Sequence, residues 1–561
     1  MKRFLLRNTL LILCALAVST ARAATITSTY IGPIEGNWGD PANWSPPIVP
    51  NNGGGDTFAV RIANVFLTLD LDVAVNRITF APGDSVIFGG DAPLLLCVDH
   101  DFSSLRTKVG TGGIPYFFAD TKDVTGDLGD LADFSGTTLN SGYAYVVAAS
   151  AGRTATLKFN GANIVKNNAG IQLAGAGTRV VDENGRDALE HFRHNLLGGY
   201  FDLEVGRDFM TEGSFVNEGE VVIFATDPDF ISGDVTTTLT INGDYTGIGY
   251  PLDPITNKGV VSLLAAGPVG DARMVINGAL TNYDSDTQTL HKTAFAWEAA
   301  NGASATTRLL GGDKALDIVT SKASLILFGP NTGFRDSSGR NALRHLATSA
   351  RLLIGDRNFT TAGSFTSTSR LSIFGGTQMI VRGDLSIQSG FLALWPKTGY
   401  AFAGEPGFPT DPAYLNANLL VRKAFDLPAA SILRFHIFDT NTLATLTVRR
   451  TATIAGVLQM AVDDVSVISP SDSFTLLTAK QISGQFSNVA SGGRVDAFVG
   501  FDVDNNPIGD PLGSFLVTYD NTTLVLSDFQ PANNSSSSES RKPAVRRNWV
   551  DKRSSPDRGE E

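Results

Sequence analysis

The chain has 561 residues, 58 of them glycine, with only 18% charged residues and a formal net charge of −12. This length can bury a large core, and low charge with abundant glycine is typical of an all-β protein with many turns. The acidic balance argues against nucleic acid as a partner, because nucleic-acid-binding proteins need a basic surface.

Residues 1–23 are predicted to be a cleaved signal peptide. A basic start precedes a short apolar run at 10–18 and a small-x-small cleavage site at Ala21-Arg22-Ala23. No stretch of the mature chain approaches the roughly 20 apolar residues of a membrane span, so no transmembrane segment is expected. Cleavage would leave Cys97 alone, which excludes an intramolecular disulfide and a cysteine-based zinc site. We therefore expect an exported protein, secreted or held at the cell surface.

Residues 24–102 are predicted to form an N-terminal β cap, because strand-like runs alternate with turn residues. The segment also contains Trp38 and Trp44. These two rings are candidate glycan-stacking residues. Alternatively, they close the end of a β-stack, since an uncapped end would expose apolar surface and strand edges. We favour the second interpretation.

Residues 103–147 are predicted to be a loop-rich insertion. They carry five aspartates, Asp120, Asp123, Asp127, Asp130 and Asp133. The segment could be a cation-binding or substrate loop, or a solvated surface loop. The aspartates lack the Asp-x-Asp-x-Asp-Gly order of a calcium loop, which favours the solvated loop.

Residues 148–395 are organised around a long internal repeat. The segment from Gly175 to His191 returns without a gap 154 residues later, from Gly329 to His345. Strand-like runs begin about every twenty residues, which is typical of β-helix coils that bury their inner faces on one another. His191 and His345 could serve in acid–base chemistry or metal binding. Repeated positions usually serve the fold, so we interpret both as structural.

The remainder is predicted to consist of an irregular excursion at 396–440, a C-terminal β region at 441–531 and a disordered tail at 532–561. Asp502, Asp504 and Asn506 resemble the first half of a calcium loop and are the candidate metal ligands. Pro507 stands where that loop needs glycine, and Gly513 where it needs a bidentate glutamate. Calcium is the only cofactor that the sequence suggests, and these two departures weigh against it.

Three segments resemble large secreted bacterial proteins related to autotransporter passenger domains, of the autotransporter-associated β-strand repeat type. They are the Gly-Asn-Trp…Asn-Trp segment at 36–44, the apolar-Gly-apolar-Thr-Asn run at 276–282, and the Phe-Thr-Leu-Leu-Thr-Ala…Phe-Leu-Val-Thr-Tyr block at 474–519. The resemblance implies an exported, right-handed parallel β-helix, a solenoid with an N-terminal cap and a C-terminal β region.

Two functions follow as hypotheses. The first is a non-enzymatic structural, adhesive or matrix-binding protein, whose partners would be extracellular polysaccharide or surface proteins. The second is a polysaccharide lyase or hydrolase, which needs clustered carboxylates on adjacent coils. Its best candidates are the runs Asp99-His100-Asp101 and Asp202, Glu204, Asp208. Because no Ser-His-Asp, Walker or dinucleotide motif is visible, we favour the first hypothesis and assign no catalytic residues.

Overall fold

A computed structural model describes residues 25–532, except for 53–55, 64, 81–84, 90–93, 105–113, 120–122, 132–133, 141–143, 226–234, 250–258, 268–269, 312–314, 398–414, 440 and 503–504. The predicted signal peptide and residues 533–561 of the predicted tail lie outside this range. The described residues form β-strands and two short 3₁₀ helices. The all-β class expected from composition is confirmed.

The strands are short, as expected from the frequent turn residues. The N-terminal part contains β1 (Thr25–Tyr30), β2 (Glu35–Asn37), a 3₁₀ helix (Pro41–Asn43), β3 (Trp44–Ser45), β4 (Thr57–Ile62), β5 (Val65–Thr68), β6 (Val73–Phe80), β7 (Ser85–Gly89), β8 (Leu94–Ser104), β9 (Ile114–Ala119), β10 (Val124–Asp127), β11 (Phe134–Ser135), β12 (Thr138–Leu139) and β13 (Ala144–Ala149). The central part contains β14 (Ala155–Lys158), β15 (Lys166–Asn167), β16 (Gly170–Ala174), β17 (Thr178–Val181), β18 (His194–Asn195), β19 (Tyr200–Glu204), β20 (Phe209–Thr211), β21 (Phe215–Asn217), β22 (Glu220–Phe224), β23 (Thr236–Ile241), β24 (Tyr245–Gly247), β25 (Val260–Ala265), β26 (Asp271–Ile276), β27 (Tyr283–Asp284), β28 (Thr289–Leu290), β29 (Ala294–Ala299), β30 (Ser304–Leu309), β31 (Thr320–Phe328) and β32 (Thr332–Arg335).

The C-terminal part continues the same pattern. It contains β33 (Thr348–Gly355), β34 (Asn358–Thr360), β35 (Phe365–Ile373), β36 (Gln378–Val381), β37 (Leu385–Ile387), β38 (Gly390–Leu394), β39 (Ala417–Val421), β40 (Phe425–Leu427), β41 (Ser431–Ile437), β42 (Ala444–Ile454), β43 (Val457–Val462), a second 3₁₀ helix (Val465–Val467), β44 (Phe474–Gly484), β45 (Arg494–Phe498), β46 (Gly513–Tyr519) and β47 (Thr523–Pro531).

Parallel pairing dominates, and one ladder, here called the long ladder, extends through most of the chain. Its strands in order are β2, β5, β7, β9, β13, β16, β19, β22, β25, β29, β31, β33, β35, β38, β41, β43 and β45, each parallel to the next. The segments predicted as a loop-rich insertion and an irregular excursion both contribute to it, through β9 and β41.

The strands between members of the long ladder pair with one another in further parallel ladders. A second series of parallel strands consists of three sections that, among the described residues, do not pair with one another. The sections are β1-β4-β6-β8-β10-β14-β17, β20-β23-β26-β30-β32 and β34-β36-β39-β42-β44. The breaks between them follow β17 and β32, where the two copies of the internal repeat leave the sheet as loops. Antiparallel pairs occur at both ends, between β1 and β3 and between β46 and β47.

The space between the ladders is filled by a single cluster of buried apolar side chains that extends from Trp38 to Phe529. Alternate residues of each strand point into it, as in β23, where Thr237, Leu239 and Ile241 are buried and the residues between them are more exposed. Each strand thus covers its neighbour's inner side chains. Stability therefore comes from stacking along the ladders.

A buried row of asparagines lies within this interior, on the parallel strands β15, β18 and β21. The Asn167 amide donates to Asn195 Oδ1 at 3.0 Å, and the Asn195 amide donates to Asn217 Oδ1 at 3.0 Å. All three side chains are fully buried. Because buried amides must be satisfied, the row links three successive strands through their side chains.

In each copy of the repeat, a buried aspartate shapes the loop that leaves the sheet. Backbone N–H groups of Asn184 and Arg186 donate to Asp182 Oδ1 at 2.8 Å each. In the second copy, backbone N–H groups of Ser338 and Arg340 donate to Asp336 Oδ1 at 2.9 Å each. The repeated Asp therefore replaces the strand partners that the loop lacks.

We expect Asp336→Asn to destabilise the protein at neutral pH by about 1–3 kcal/mol, because it removes charge-assisted hydrogen bonds. Burial opposes ionisation, but hydrogen bonds from Ser338 and Arg340 prevail and lower the pKa of Asp336 from 3.8 to about 2. The stabilisation is therefore present above about pH 4 and is lost as pH falls towards 2. Urea unfolding across this range should show a smaller pH dependence for the variant. An unchanged pH dependence would rule out this role for Asp336.

Candidate functional site

The outer face of the long ladder, between β31 and β43, carries a row of aromatic side chains and a cluster of arginines. Side chains alternate along a strand, so the neighbours of core residues point away from the core. One row, here called the aromatic row, is formed by Phe328, Phe374, Trp395 and His436. Beside it lie Arg351, Arg370 and Arg434, here called the arginine cluster. Since parallel strands stack in register, residues distant in sequence become neighbours on this face.

Register brings the arginines together. Arg351 in β33 is the Cα partner of Arg370 in β35, and Arg370 is the partner of Phe391 in β38. The guanidinium carbons of Arg370 and Arg434 lie 4.8 and 4.9 Å from the centre of the Phe391 ring. Arg434 also lies 4.2 Å from the ring of Phe501. Cation–π contacts thus orient two of the three guanidinium groups.

Neutral oxygens supply the hydrogen bonds of the cluster. Arg434 donates to Gln459 Oε1 at 2.9 and 2.7 Å and to Asn505 Oδ1 at 2.8 Å. Arg370 Nε donates to Ser372 Oγ at 3.0 Å. Among the described residues, no carboxylate forms an ion pair with any of the three arginines. The buried Nε of Arg351 has no described hydrogen-bond partner.

Burial disfavours the charged form of these arginines and so lowers their pKa values. Burial lowers the pKa of Arg370 to about 9, with a further contribution from the charges of Arg351 and Arg434. Burial lowers the pKa of Arg434 to about 10, which the more distant Asp502 partly opposes. Burial also lowers the pKa of Arg351. Arginine stays protonated in proteins, so the cluster concentrates positive charge, and the carboxylate that acts on Arg434 is that of Asp502.

The aromatic row stacks along the ladder next to these cations. Ring centroids are 5.2 Å apart between Phe328 and Phe374, 5.8 Å between Phe374 and Trp395, and 4.2 Å between Trp395 and His436. Burial lowers the pKa of His436 to about 4 despite Asp463 nearby. The imidazole is therefore neutral at neutral pH. Phe374 and Trp395 remain partly exposed.

Sequence reasoning missed this face. A visible signal was the run Arg351-Leu352-Leu353-Ile354, which returns as Arg370-Leu371-Ser372-Ile373 one strand later in the ladder. Each run places an arginine at an outward position next to a core leucine.

The two tryptophans singled out from the sequence are buried, with 0% of Trp38 and 1% of Trp44 exposed. Their ring centroids are 4.8 Å apart. Trp38 Nε1 donates to the Pro50 carbonyl and Trp44 Nε1 to the Trp38 carbonyl, both at 2.8 Å. Burial leaves neither ring with a face on which a sugar could stack, and both belong to the main core.

Two of the candidate calcium ligands, Asp502 and Asn506, flank Asn505, whose Oδ1 accepts from Arg434 of the arginine cluster. Asp502 Oδ1 accepts from the Asn506 backbone N–H at 2.8 Å, and Asp502 Oδ2 accepts from Asn506 Nδ2 at 3.2 Å. Asp504 lies outside the described residues. The positive charge of Arg434 acts on Asp502 and disfavours a divalent cation there. In the described part of the chain, no three His, Cys, Asp or Glu side chains gather as metal ligands.

The candidate catalytic carboxylates are held in separate contacts. Asp202 is 1% exposed and accepts from Tyr200 Oη at 2.6 Å. Glu204 accepts from Gln172 Nε2 at 3.0 Å. Asp208 is exposed beyond the next turn and accepts from the Thr238 backbone N–H at 2.7 Å. The side chains of the run 99–101 lie outside the description.

The repeated histidines are about half exposed rather than buried. His191 Nδ1 lies 2.8 Å from Glu212 Oε2, and His345 Nδ1 lies 2.7 Å from Asp317 Oδ2. Each ring bonds a carboxylate from a neighbouring segment. The buried apolar members of the repeat are instead residues such as Leu189 and Leu343.

No helix within the described ranges has the length and apolar character needed to cross a membrane. Comparisons of the chain with protein-family models, with curated proteins and with solved structures found no match.

Proposed function

We propose that the chain is a right-handed parallel β-helix, exported to the cell surface or the medium, with a structural or matrix-binding role and no catalytic activity. Support for the β-helix comes from the in-register parallel pairing of the long ladder and from the side-chain rows that stack along it. Support for export comes from the charge and apolar pattern of residues 1–23.

One observation carries the binding role. The outer face of the long ladder presents the arginine cluster and the aromatic row between β31 and β43, while the candidate carboxylates Asp202 and Glu204, on β19 of the same ladder, accept hydrogen bonds from Tyr200 and Gln172. A lyase or hydrolase would need an acid and a base that face the same substrate. Cations beside aromatic rings instead suit recognition of a ligand without chemical change.

The export proposal predicts a mature chain that begins at Ala24 and appears in the surface or medium fraction. Intact-mass measurement after fractionation tests this prediction, and a protein that retains Met1 in the cytoplasmic fraction would contradict it.

The non-enzymatic proposal is tested separately. The mature protein, incubated with a panel of acidic and neutral polysaccharides, should release no reducing ends and no unsaturated uronates above a heat-denatured control. Release of either product would replace the binding role by the hydrolase or lyase alternative.

A further inference from the structure

We propose that the arginine cluster and the edge of the aromatic row bind an acidic polysaccharide, whose carboxylate or sulfate groups pair with the partly exposed Arg351 and Arg370, while the buried Arg434 adds positive charge behind them. The inference deepens the proposed function, since it assigns the matrix ligand to a particular surface.

The charge distribution is the first argument. The whole chain has a net charge of −12, yet three arginines meet on one face and form no ion pair with a described carboxylate. Like charges in directly opposed strand positions are destabilising. Arg351 and Arg370 occupy such positions. A bound anion would remove this repulsion, and arginine recognises carboxylate and sulfate-like groups with paired N–H donors.

Spacing is the second argument. Neighbouring strands of a ladder are about 4.8 Å apart, so Arg351 and Arg370 present their charges at that interval along the ladder. Such an interval is comparable to the length of a sugar residue. A chain that runs along the ladder would therefore bring successive acidic groups to successive arginines.

The aromatic row is the third argument. Phe374 and Trp395 stack beside the arginines and are partly exposed. Trp395 is stacked between Phe374 and His436, so the row offers a bound sugar chain its ring edges, which carry the positive side of the ring quadrupole, rather than a free face. His436 at the end of the row is neutral at neutral pH, so it adds no charge.

The test uses the full mature chain and measures binding to polygalacturonate, dextran sulfate, neutral dextran and inorganic sulfate by affinity electrophoresis and calorimetry. We expect binding to one or both acidic polymers, weakened by added salt, and no binding to dextran. Arg351→Gln and Arg370→Gln should each reduce the affinity about tenfold or more, because each removes a charge-assisted contact. The matched control Arg382→Gln, which changes an exposed arginine in the bend directly after β36, should bind like the wild type.

A second readout separates binding from folding. Without ligand, Arg370→Gln should melt at the same or a higher temperature than the wild type, because it relieves repulsion from Arg351 and Arg434. Failure of both acidic polymers to bind would overturn the proposal. So would equal binding of neutral dextran, equal loss of affinity in Arg382→Gln, or an affinity for inorganic sulfate that matches the polymers. None of these results changes the mass or fractionation outcome, so failure here is distinct from failure of the export proposal.

Discussion

Replacing Gly329 by alanine should destabilise the protein by about 3–5 kcal/mol, from backbone strain and overpacking together. Gly329 follows β31 at φ +92°, a conformation that L side chains rarely adopt. A Cβ atom there would lie 2.0 Å from the backbone oxygen of Ala299 on the neighbouring strand β29. Backbone cannot move aside as a flexible side chain can. The chain turns out of the long ladder at this point, so the strain would disturb the stacking of two strands.

Two other glycines provide matched controls. Gly339 has φ +82° but open space around the Cβ position, so Gly339→Ala should cost only about 1–2 kcal/mol. Gly363 has open space and no left-handed φ, so Gly363→Ala should be within about 0.5 kcal/mol of wild type. Urea unfolding of the three variants measures the series. Equal midpoints for Gly329→Ala and Gly363→Ala would show that the close approach to Ala299 does not constrain the fold.

Asn195→Ala should have the second large effect, a loss of about 3 kcal/mol or more, because several buried polar groups lose their partners at once. The Asn195 amide donates to Asn217 Oδ1, to the Gly199 carbonyl at 3.2 Å and to the Glu220 carbonyl at 2.9 Å. The side chain is fully buried, so water cannot take over these bonds.

Asn277→Ala is the matched control for this prediction. Asn277 Nδ2 donates to Asn242 Oδ1 at 3.0 Å, the same asparagine pairing between neighbouring strands, but on an exposed surface. Its loss should cost no more than about 0.5 kcal/mol, since water replaces the partner. Chemical denaturation with hydrogen exchange on β18 and β21 would locate the effect. Similar losses for the two variants would mean that burial is not the source of the stability of the row.

Much of the fold was predictable because local backbone requirements leave a mark in the sequence. Short apolar runs separated by turn residues predicted the all-β class, which is confirmed. The repeat also identified positions with equal structural roles. Gly175 has φ +94° and, like Gly329, has a neighbouring backbone oxygen about 2 Å from the Cβ position, at 2.1 Å. Asp182 and Asp336 likewise shape equivalent loops. The left-handed φ of the glycines and the loop hydrogen bonds of the aspartates are requirements within a few residues, so one sequence is enough to reveal them.

The candidate site depended on contacts that no local pattern specifies. Trp38 and Trp44 are compatible with an exposed or a buried role, and only their packing places both in the core. The run at 502–506 resembles part of a calcium loop in sequence, and only the fold shows that Arg434 acts on its first aspartate.

The arginine cluster shows most clearly what the sequence and the tertiary structure each determine. The sequence by itself determined that Arg351 and Arg370 stand beside core leucines and thus at outward positions of strands, because side chains alternate along a strand. Only the tertiary structure decided that these strands are neighbours in register, and that Arg434, far along the chain, contacts the same Phe391 ring as Arg370. Register depends on how inner side chains stack and how long each intervening loop is. A shift of one residue would turn every arginine to the other face of its strand.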